Sequence, residues 1–149
     1  MNKKNLGMLV LLGVLLIGAV LINGCIPEDT VPVEEPKAQI ENISPGAAYG
    51  LIQENKNNPD FVILDVRTSG EFASGHIENA INLDYYSATF RDDLDKLDKD
   101  KTYVIYCHSG GRSGNALKIM EELGFMKVYN ILGGISAWKA EGLPITKTG

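Results

Sequence analysis

The chain is poor in cysteine, histidine and basic residues. Two cysteines and two histidines in 149 residues exclude a disulfide-rich scaffold and a four-cysteine metal site, and we predict no metal and no cofactor. The 14 basic residues are outnumbered by 19 acidic ones, which argues against nucleic acid as a partner, because phosphates are bound by an excess of Lys and Arg. A hydrophobic content of 44% is ordinary for a globular protein and predicts one domain with a single core.

Acidic residues are missing altogether from the first 24 positions. There, Lys3 and Lys4 precede an unbroken run of 17 apolar or glycine residues from Leu6 to Ile22. A basic start followed by an apolar run is typical of a signal peptide, and the run is also near the short limit for a membrane span. Residues 1–24 are therefore predicted to be a signal peptide or a membrane anchor. Either one would export the rest of the chain and leave the two lysines on the cytoplasmic side.

The end of this run, Ile22-Asn23-Gly24-Cys25, resembles a lipobox, the motif at which prokaryotic lipoproteins are cut and lipidated on cysteine. The resemblance implies that Cys25 carries lipid; the alternative is an uncleaved anchor in which Cys25 has no role. Residues 25–39 contain three prolines and four acidic residues, a composition typical of an extended spacer. We therefore expect an exported, membrane-attached protein with a tether over residues 25–39 and a folded domain over residues 40–149.

Short apolar strands alternate with helices in residues 40–149. Ser44 before Pro45 is typical of a helix start, and Gly124 of a helix end. Strands are predicted at Phe61–Leu64, Ile81–Leu83, Tyr103–Tyr106 and Val128–Ile131, and helices after Ser44, from Glu71, within residues 91–101, from Arg112 to Leu123 and around Trp138. The alternation predicts an α/β domain with a mainly parallel sheet and helices on both faces. In such sheets, functional sites form at the carboxyl ends of the strands.

Cys107 occupies such a position, directly after an apolar strand and before the loop His108-Ser109-Gly110-Gly111. The two glycines allow the backbone amides to turn inward at the start of the next helix, which makes an anion site and favours a thiolate nucleophile. Arg112 would add a fixed positive charge at the end of the loop, and Ser113 follows it. The alternative is a buried, inert cysteine of the kind that is common in strands.

At this point the chain resembles the rhodanese family of sulfurtransferases, through several motifs in the family's order. These are Asp65-Val66-Arg67, Glu71-Phe72, Gly75-His76-Ile77, Ala80-Ile81-Asn82, the loop from Cys107 to Ser113, and Gly133-Gly134-Ile135-Ser136-Ala137-Trp138. The resemblance implies a single rhodanese-like α/β domain. It also implies that Cys107 takes a sulfur atom from a small donor such as thiosulfate and passes it, as a persulfide, to a thiophilic acceptor such as cyanide or a thiol.

Within this resemblance, residues His108 to Ser113 would bind the substrate and the persulfide, while Asp65 and Arg67 would support the loops around the site by hydrogen bonds and an ion pair. His76 is interpreted as a structural hydrogen-bonding residue. If Cys25 carries lipid, Cys107 is the only free thiol, and we expect it to be exposed and to pass sulfur to an outside acceptor.

Two alternatives to the sulfurtransferase remain at this stage. A cysteine phosphatase is the less favoured one, because only four residues separate Cys107 from Arg112, and that short loop suits a sulfur atom better than a tetrahedral phosphate. The other is a binding or sulfur-carrier module that does not turn over. The loop also departs from the family pattern, since His108 stands where many members have Arg, and this weakens the expectation of thiosulfate as the preferred donor.

Overall fold

The computed structural model describes residues 37–147. The predicted signal segment, Cys25 and the predicted tether up to residue 36 lie outside the described residues. Between residues 37 and 147, every helix is too short or too polar to cross a membrane.

The described residues form five strands and five helices in alternation. The strands are β1 (Gln39–Ile43), β2 (Phe61–Asp65), β3 (Ile81–Asn82), β4 (Thr102–Tyr106) and β5 (Lys127–Ile131). The helices are α1 (Pro45–Glu54), α2 (Ser69–Ser74), α3 (Phe90–Asp95), α4 (Gly111–Glu122) and α5 (Gly134–Ala140). The four predicted strands and the predicted helices are confirmed. The strand ends differ by one residue, and the helix predicted within residues 91–101 covers only Phe90–Asp95.

The strands form one sheet in the order β1-β5-β4-β2-β3, and every neighbouring pair is parallel. Successive residues of β4 point to opposite faces, so Tyr103 and Ile105 pack into one apolar cluster and Val104 and Tyr106 into the other. The first cluster includes residues of α3 and α4, and the second includes residues of α1 and α5. The predicted α/β fold, a parallel sheet with helices on both faces, is confirmed.

Strand β1 was not predicted from the sequence. It starts at Gln39, whose amide donates to the Met126 carbonyl oxygen over 2.7 Å, so the sheet begins at the last residue of the predicted tether. Three of the five residues of this strand are polar, because it lies at the edge of the sheet and pairs only with β5 among the described strands.

Helix α5 begins against the carboxyl end of β4 and positions the loop that follows it. The amide of Ile135 donates to the Cys107 carbonyl oxygen over 2.9 Å, and the amide of Ser136 donates to that of His108 over 3.0 Å. Gly134 permits this approach, with a φ of 58° and no side chain. A Cβ atom at Gly134 would overlap the Cys107 carbonyl oxygen and lie 2.8 Å from the His108 carbonyl carbon.

Gly134→Ala should therefore destabilise the domain more than Gly142→Ala. Both glycines have a positive φ, but a Cβ at Gly142 meets no atom within 4 Å, so this control isolates the clash from the backbone strain. The expected difference in the free energy of unfolding is about 1–3 kcal/mol, the usual cost of overpacking. Urea denaturation of both variants measures it. Equal losses of stability would show that α5 does not press on the loop as described.

Candidate active site

Cys107 follows β4 directly and lies beneath the start of α4, with 1% of its surface exposed. The expectation of an exposed thiol is therefore wrong. The strand alternation that turns Tyr103 and Ile105 toward one apolar cluster also turns Cys107 toward it, and the following loop folds back over the sulfur. A molecule that reacts with the sulfur must consequently pass the loop that covers it.

The loop surrounds the Cys107 sulfur with hydrogen-bond donors. The Gly110 amide lies 3.1 Å from Sγ and the Ser113 hydroxyl lies 3.4 Å from it. Gly110 has a φ of 100°, in the left-handed region, which allows its amide to turn back toward the preceding cysteine. Gly110 also precedes the first turn of α4, so the sulfur lies where the free amides and the dipole of a helix favour negative charge.

This environment favours the thiolate form of Cys107. Burial raises the pKa of the thiol, because it disfavours the charged form. Hydrogen bonds from the Ser113 hydroxyl and from backbone amides of the loop outweigh that effect, and the pKa lies below the ordinary cysteine value. The site therefore stabilises an anionic sulfur by directed dipoles.

Arg112, predicted as a positive charge for the loop, is already paired. Its guanidinium donates two hydrogen bonds to Glu71, over 2.8 Å to Oε2 and 2.7 Å to Oε1. These bonds lower the pKa of Glu71 to about 2, against the effect of burial, so the carboxylate stays charged at neutral pH. Glu71 also accepts from the Thr68 amide as part of the capping box of α2. The pair thus joins the start of α2 to the start of α4.

Two residues beside Arg112 were missed as site residues. Glu71 was recognised only as part of a family motif, and its ion pair was not predicted because Arg112 is 41 positions away along the chain. Tyr86 lies in the loop between β3 and α3 with 69% of its surface exposed, and its ring centre is 5.5 Å from the Arg112 guanidinium carbon. An exposed tyrosine in an irregular segment carries no sequence signal of its own.

Asp65 and Arg67 form a buried ion pair at the carboxyl end of β2, next to β4. The Arg67 guanidinium lies 2.6 Å from the Asp65 carboxylate and also donates to the Gly75 carbonyl oxygen over 2.8 Å. The Asn82 side chain donates to the Arg67 carbonyl oxygen over 2.7 Å. These contacts are all with other protein groups, and they hold together the segments that follow β2 and α2.

The remaining predicted residues divide between the rim of the loop and the scaffold. His108, Ser109 and Gly111 are exposed at the surface of the loop. His76 lies on the scaffold, where its ring stacks on Phe72 at 3.8 Å and its Nδ1 lies 2.9 Å from the Phe72 carbonyl oxygen. Of the predicted loop residues, Gly110 and Ser113 thus contact the sulfur, Arg112 contacts Glu71, and Asp65, Arg67 and His76 make structural contacts elsewhere.

Comparison with known proteins agrees with this geometry. The family model described as "Rhodanese-like domain" matches residues 49–141. A sulfurtransferase of Allochromatium vinosum is 38% identical over 95 residues, which cover 64% of this chain and 87% of that protein. A thiosulfate sulfurtransferase of Coxiella burnetii is 37% identical over 100 residues, which cover 67% of this chain and 88% of that protein.

The fold is also found among solved structures. The crystal structure of a rhodanese-related protein from Thermoplasma volcanium superposes with a TM-score of 0.61 at 30% identity and covers 72% of this chain and 99% of that one. The family model, the relatives and the solved structure agree on one assignment. The chain belongs to the rhodanese-like domain family.

Proposed function

We propose that the protein is a sulfurtransferase that carries sulfur as a persulfide on Cys107. The observation that supports this most strongly is the placement of Sγ within hydrogen-bond distance of the Gly110 amide and the Ser113 hydroxyl, at the start of α4. Relatives named sulfurtransferase and thiosulfate sulfurtransferase, at 38% and 37% identity, support the same reaction class.

In the first half-reaction, the Cys107 thiolate attacks the outer sulfur of the donor. The sulfur–sulfur bond of the donor breaks, and its electron pair leaves with the rest of the donor, which is sulfite when the donor is thiosulfate. With thiosulfate as the donor, the product is a Cys107 persulfide whose terminal sulfur is anionic. Amides fixed by the backbone stabilise such an anion without rearranging, which is the usual advantage of a preorganised site.

In the second half-reaction, a thiophilic acceptor such as cyanide or a thiol attacks the terminal sulfur and releases the Cys107 thiolate. Cys107 is the one free cysteine among residues 37–147. A resolving disulfide with a second cysteine of this domain is therefore ruled out, and turnover depends on an acceptor from outside it.

The burial of Cys107 makes a sulfur carrier the second candidate function. A thiol with 1% of its surface exposed can hold a persulfide that only a matching acceptor reaches. The two functions differ in turnover: an enzyme continues to release sulfur when donor and small acceptor are in excess, whereas a carrier stops after one equivalent. A phosphatase is disfavoured by the four-residue spacing between Cys107 and Arg112.

We also propose that the protein is exported and attached to the membrane through a lipid on Cys25. The support is the sequence pattern alone, namely the two lysines, the 17-residue apolar run and the lipobox-like end at Cys25. A tether of Pro-rich, acidic composition would then hold the sulfurtransferase domain away from the membrane surface.

The thiol should ionise below the model-thiol pKa of about 8.5. The measurement is the thiolate absorbance of the wild-type protein minus that of Cys107→Ser, followed against pH. Ser113→Ala should raise the pKa of Cys107, because it removes a hydrogen bond that stabilises the charged form of the thiol.

Ser136→Ala is the matched control, since it removes an exposed hydroxyl from α5 beside the same loop. It should leave the pKa of Cys107 where it is. A wild-type pKa at or above the model value would contradict the described environment of the sulfur.

Sulfur transfer itself is tested on the full-length protein. After incubation with a sulfane-sulfur donor and removal of the excess, the intact mass should increase by one sulfur atom and return to its original value when cyanide is added. Cys107→Ser should gain nothing, because its hydroxyl cannot form a persulfide. If the wild-type protein gains no sulfur from thiosulfate, polysulfide or an organic persulfide, the proposed function is wrong.

Lipidation is tested by expressing the full-length protein in a bacterial host supplied with a labelled fatty acid. The wild-type protein should fractionate with membranes and carry the label, and Cys25→Ala should lose the label because the site of attachment is gone. Cys107→Ser serves as the control for loss of a cysteine elsewhere. Recovery of the wild-type protein unlabelled in the soluble fraction would reject the proposal.

A further inference from the structure

The guanidinium of Arg112, at the end of the loop, and that of Arg67, at the carboxyl end of β2, are both engaged by carboxylates of the same domain. Arg112 gives two hydrogen bonds to Glu71, and this pair is only partly exposed, with 17% and 32% of the two side chains accessible. Arg67 is buried in its ion pair with Asp65. The loop therefore offers amide and hydroxyl dipoles to an anion. The positive charges of Arg112 and Arg67 are compensated by their carboxylate partners.

The surface beside Arg112 is aromatic. The Tyr86 ring centre lies 5.5 Å from the Arg112 guanidinium carbon, and the residue is 69% exposed. Tyr86 is itself held edge-on against Tyr85, with ring centres 5.6 Å apart, and Tyr85 packs against Phe90 at 5.2 Å. An organic group entering toward the loop would find a fixed aromatic surface there.

The rest of the domain has no excess of positive charge that could replace the compensated charges of Arg112 and Arg67. Residues 37–147 contain 12 basic and 15 acidic residues, so the domain carries a net negative charge. A dianion that approaches a thiolate in such a domain is repelled both by the thiolate and by the overall field.

We infer that the sulfur donor of this site is an organic persulfide in its neutral form rather than thiosulfate, and that Glu71 sets this preference by neutralising Arg112. The inference rests on the proposed sulfurtransferase function and specifies its substrate class. Glu71 acts here as a positioning and charge-compensating residue, since it contacts Arg112 and not the sulfur.

The transfer step balances for both donors. With a neutral persulfide, the Cys107 thiolate attacks the terminal sulfur of R–S–SH, the sulfur–sulfur bond breaks, and the electron pair leaves as the thiolate R–S⁻, so one negative charge is present before and after. With thiosulfate, the same attack releases sulfite, and three negative charges are brought together before and after. Only the second reaction concentrates like charges at the loop.

The test measures the second-order rate of sulfur loading on the full-length protein by quenched mass spectrometry, with 2-hydroxyethyl persulfide, whose organic group is uncharged, and with thiosulfate. The ratio of the two rates is divided by the ratio for free cysteine, which removes the intrinsic reactivity of the donors. We expect the protein to favour the persulfide by about tenfold beyond the free thiol, the effect of one compensated charge at short range in a partly exposed site.

Added salt should accelerate loading from thiosulfate and leave loading from the persulfide nearly unchanged, because it screens repulsion between like charges.

Glu71→Gln should raise the thiosulfate rate about tenfold, because it frees the charge of Arg112. The double variant Glu71→Gln with Arg112→Gln should lose that gain. Glu122→Gln is the matched control: it breaks another arginine–glutamate pair, Arg91–Glu122 at 2.8 Å, on the surface of α3 and α4. It should change neither rate.

A thiosulfate rate equal to or above the persulfide rate after normalisation, or one that falls with salt, would overturn the inference and leave the sulfurtransferase function standing. Failure of both donors to load Cys107 would reject the sulfurtransferase function and the inference with it. If Glu71→Gln does not fold, the normalised ratio and the salt dependence of the wild-type protein decide the question.

Discussion

The contact on which the site depends is the hydrogen bond from the Gly110 amide to the Cys107 sulfur, at 3.1 Å. If the strand led straight into the helix, the first amides of the helix would point away from the last side chain of the strand. The left-handed turn at Gly110, with a φ of 100°, reverses the backbone so that α4 begins above the sulfur. One turn therefore supplies both the donors for an anionic sulfur and the burial of Cys107, and these have opposite effects on its pKa.

A loop in this conformation needs support from outside, and it receives it from two sides. On one side, the amides of Ile135 and Ser136 at the start of α5 donate to the carbonyl oxygens of Cys107 and His108. On the other side, Glu71 holds Arg112 and thereby ties α2 to the first turn of α4. The same short elements that complete the fold thus fix the geometry of the sulfur, which explains why family motifs far apart in the chain converge on one loop.

The sequence predicted the parts of this structure that are read from local pattern. Runs such as Phe61–Leu64 and Tyr103–Tyr106 reveal buried parallel strands because both of their faces are covered. Cys107 and its loop were identified because glycines follow an apolar strand.

Strand β1 was missed because an edge strand carries polar residues, and the burial of Cys107 was missed because it depends on the path of the loop. The partners of Arg112 were missed because Glu71 and Tyr86 come from other segments, and no local pattern reports a contact between distant residues.

Stabilising an anion by dipoles differs from stabilising it by a net charge. An unpaired arginine attracts every anion in solution, and its effect reaches about 10 Å at 0.1 M ionic strength. An amide and a hydroxyl aimed at one point, as at Gly110 and Ser113, stabilise a charge only once it is there. Because Glu71 compensates Arg112, the loop is built to hold a negative sulfur that forms in place and not to collect anions from solution. For a domain whose own charge is negative, this arrangement suits a neutral donor, because the negative charge of the Cys107 thiolate then leaves with the departing group.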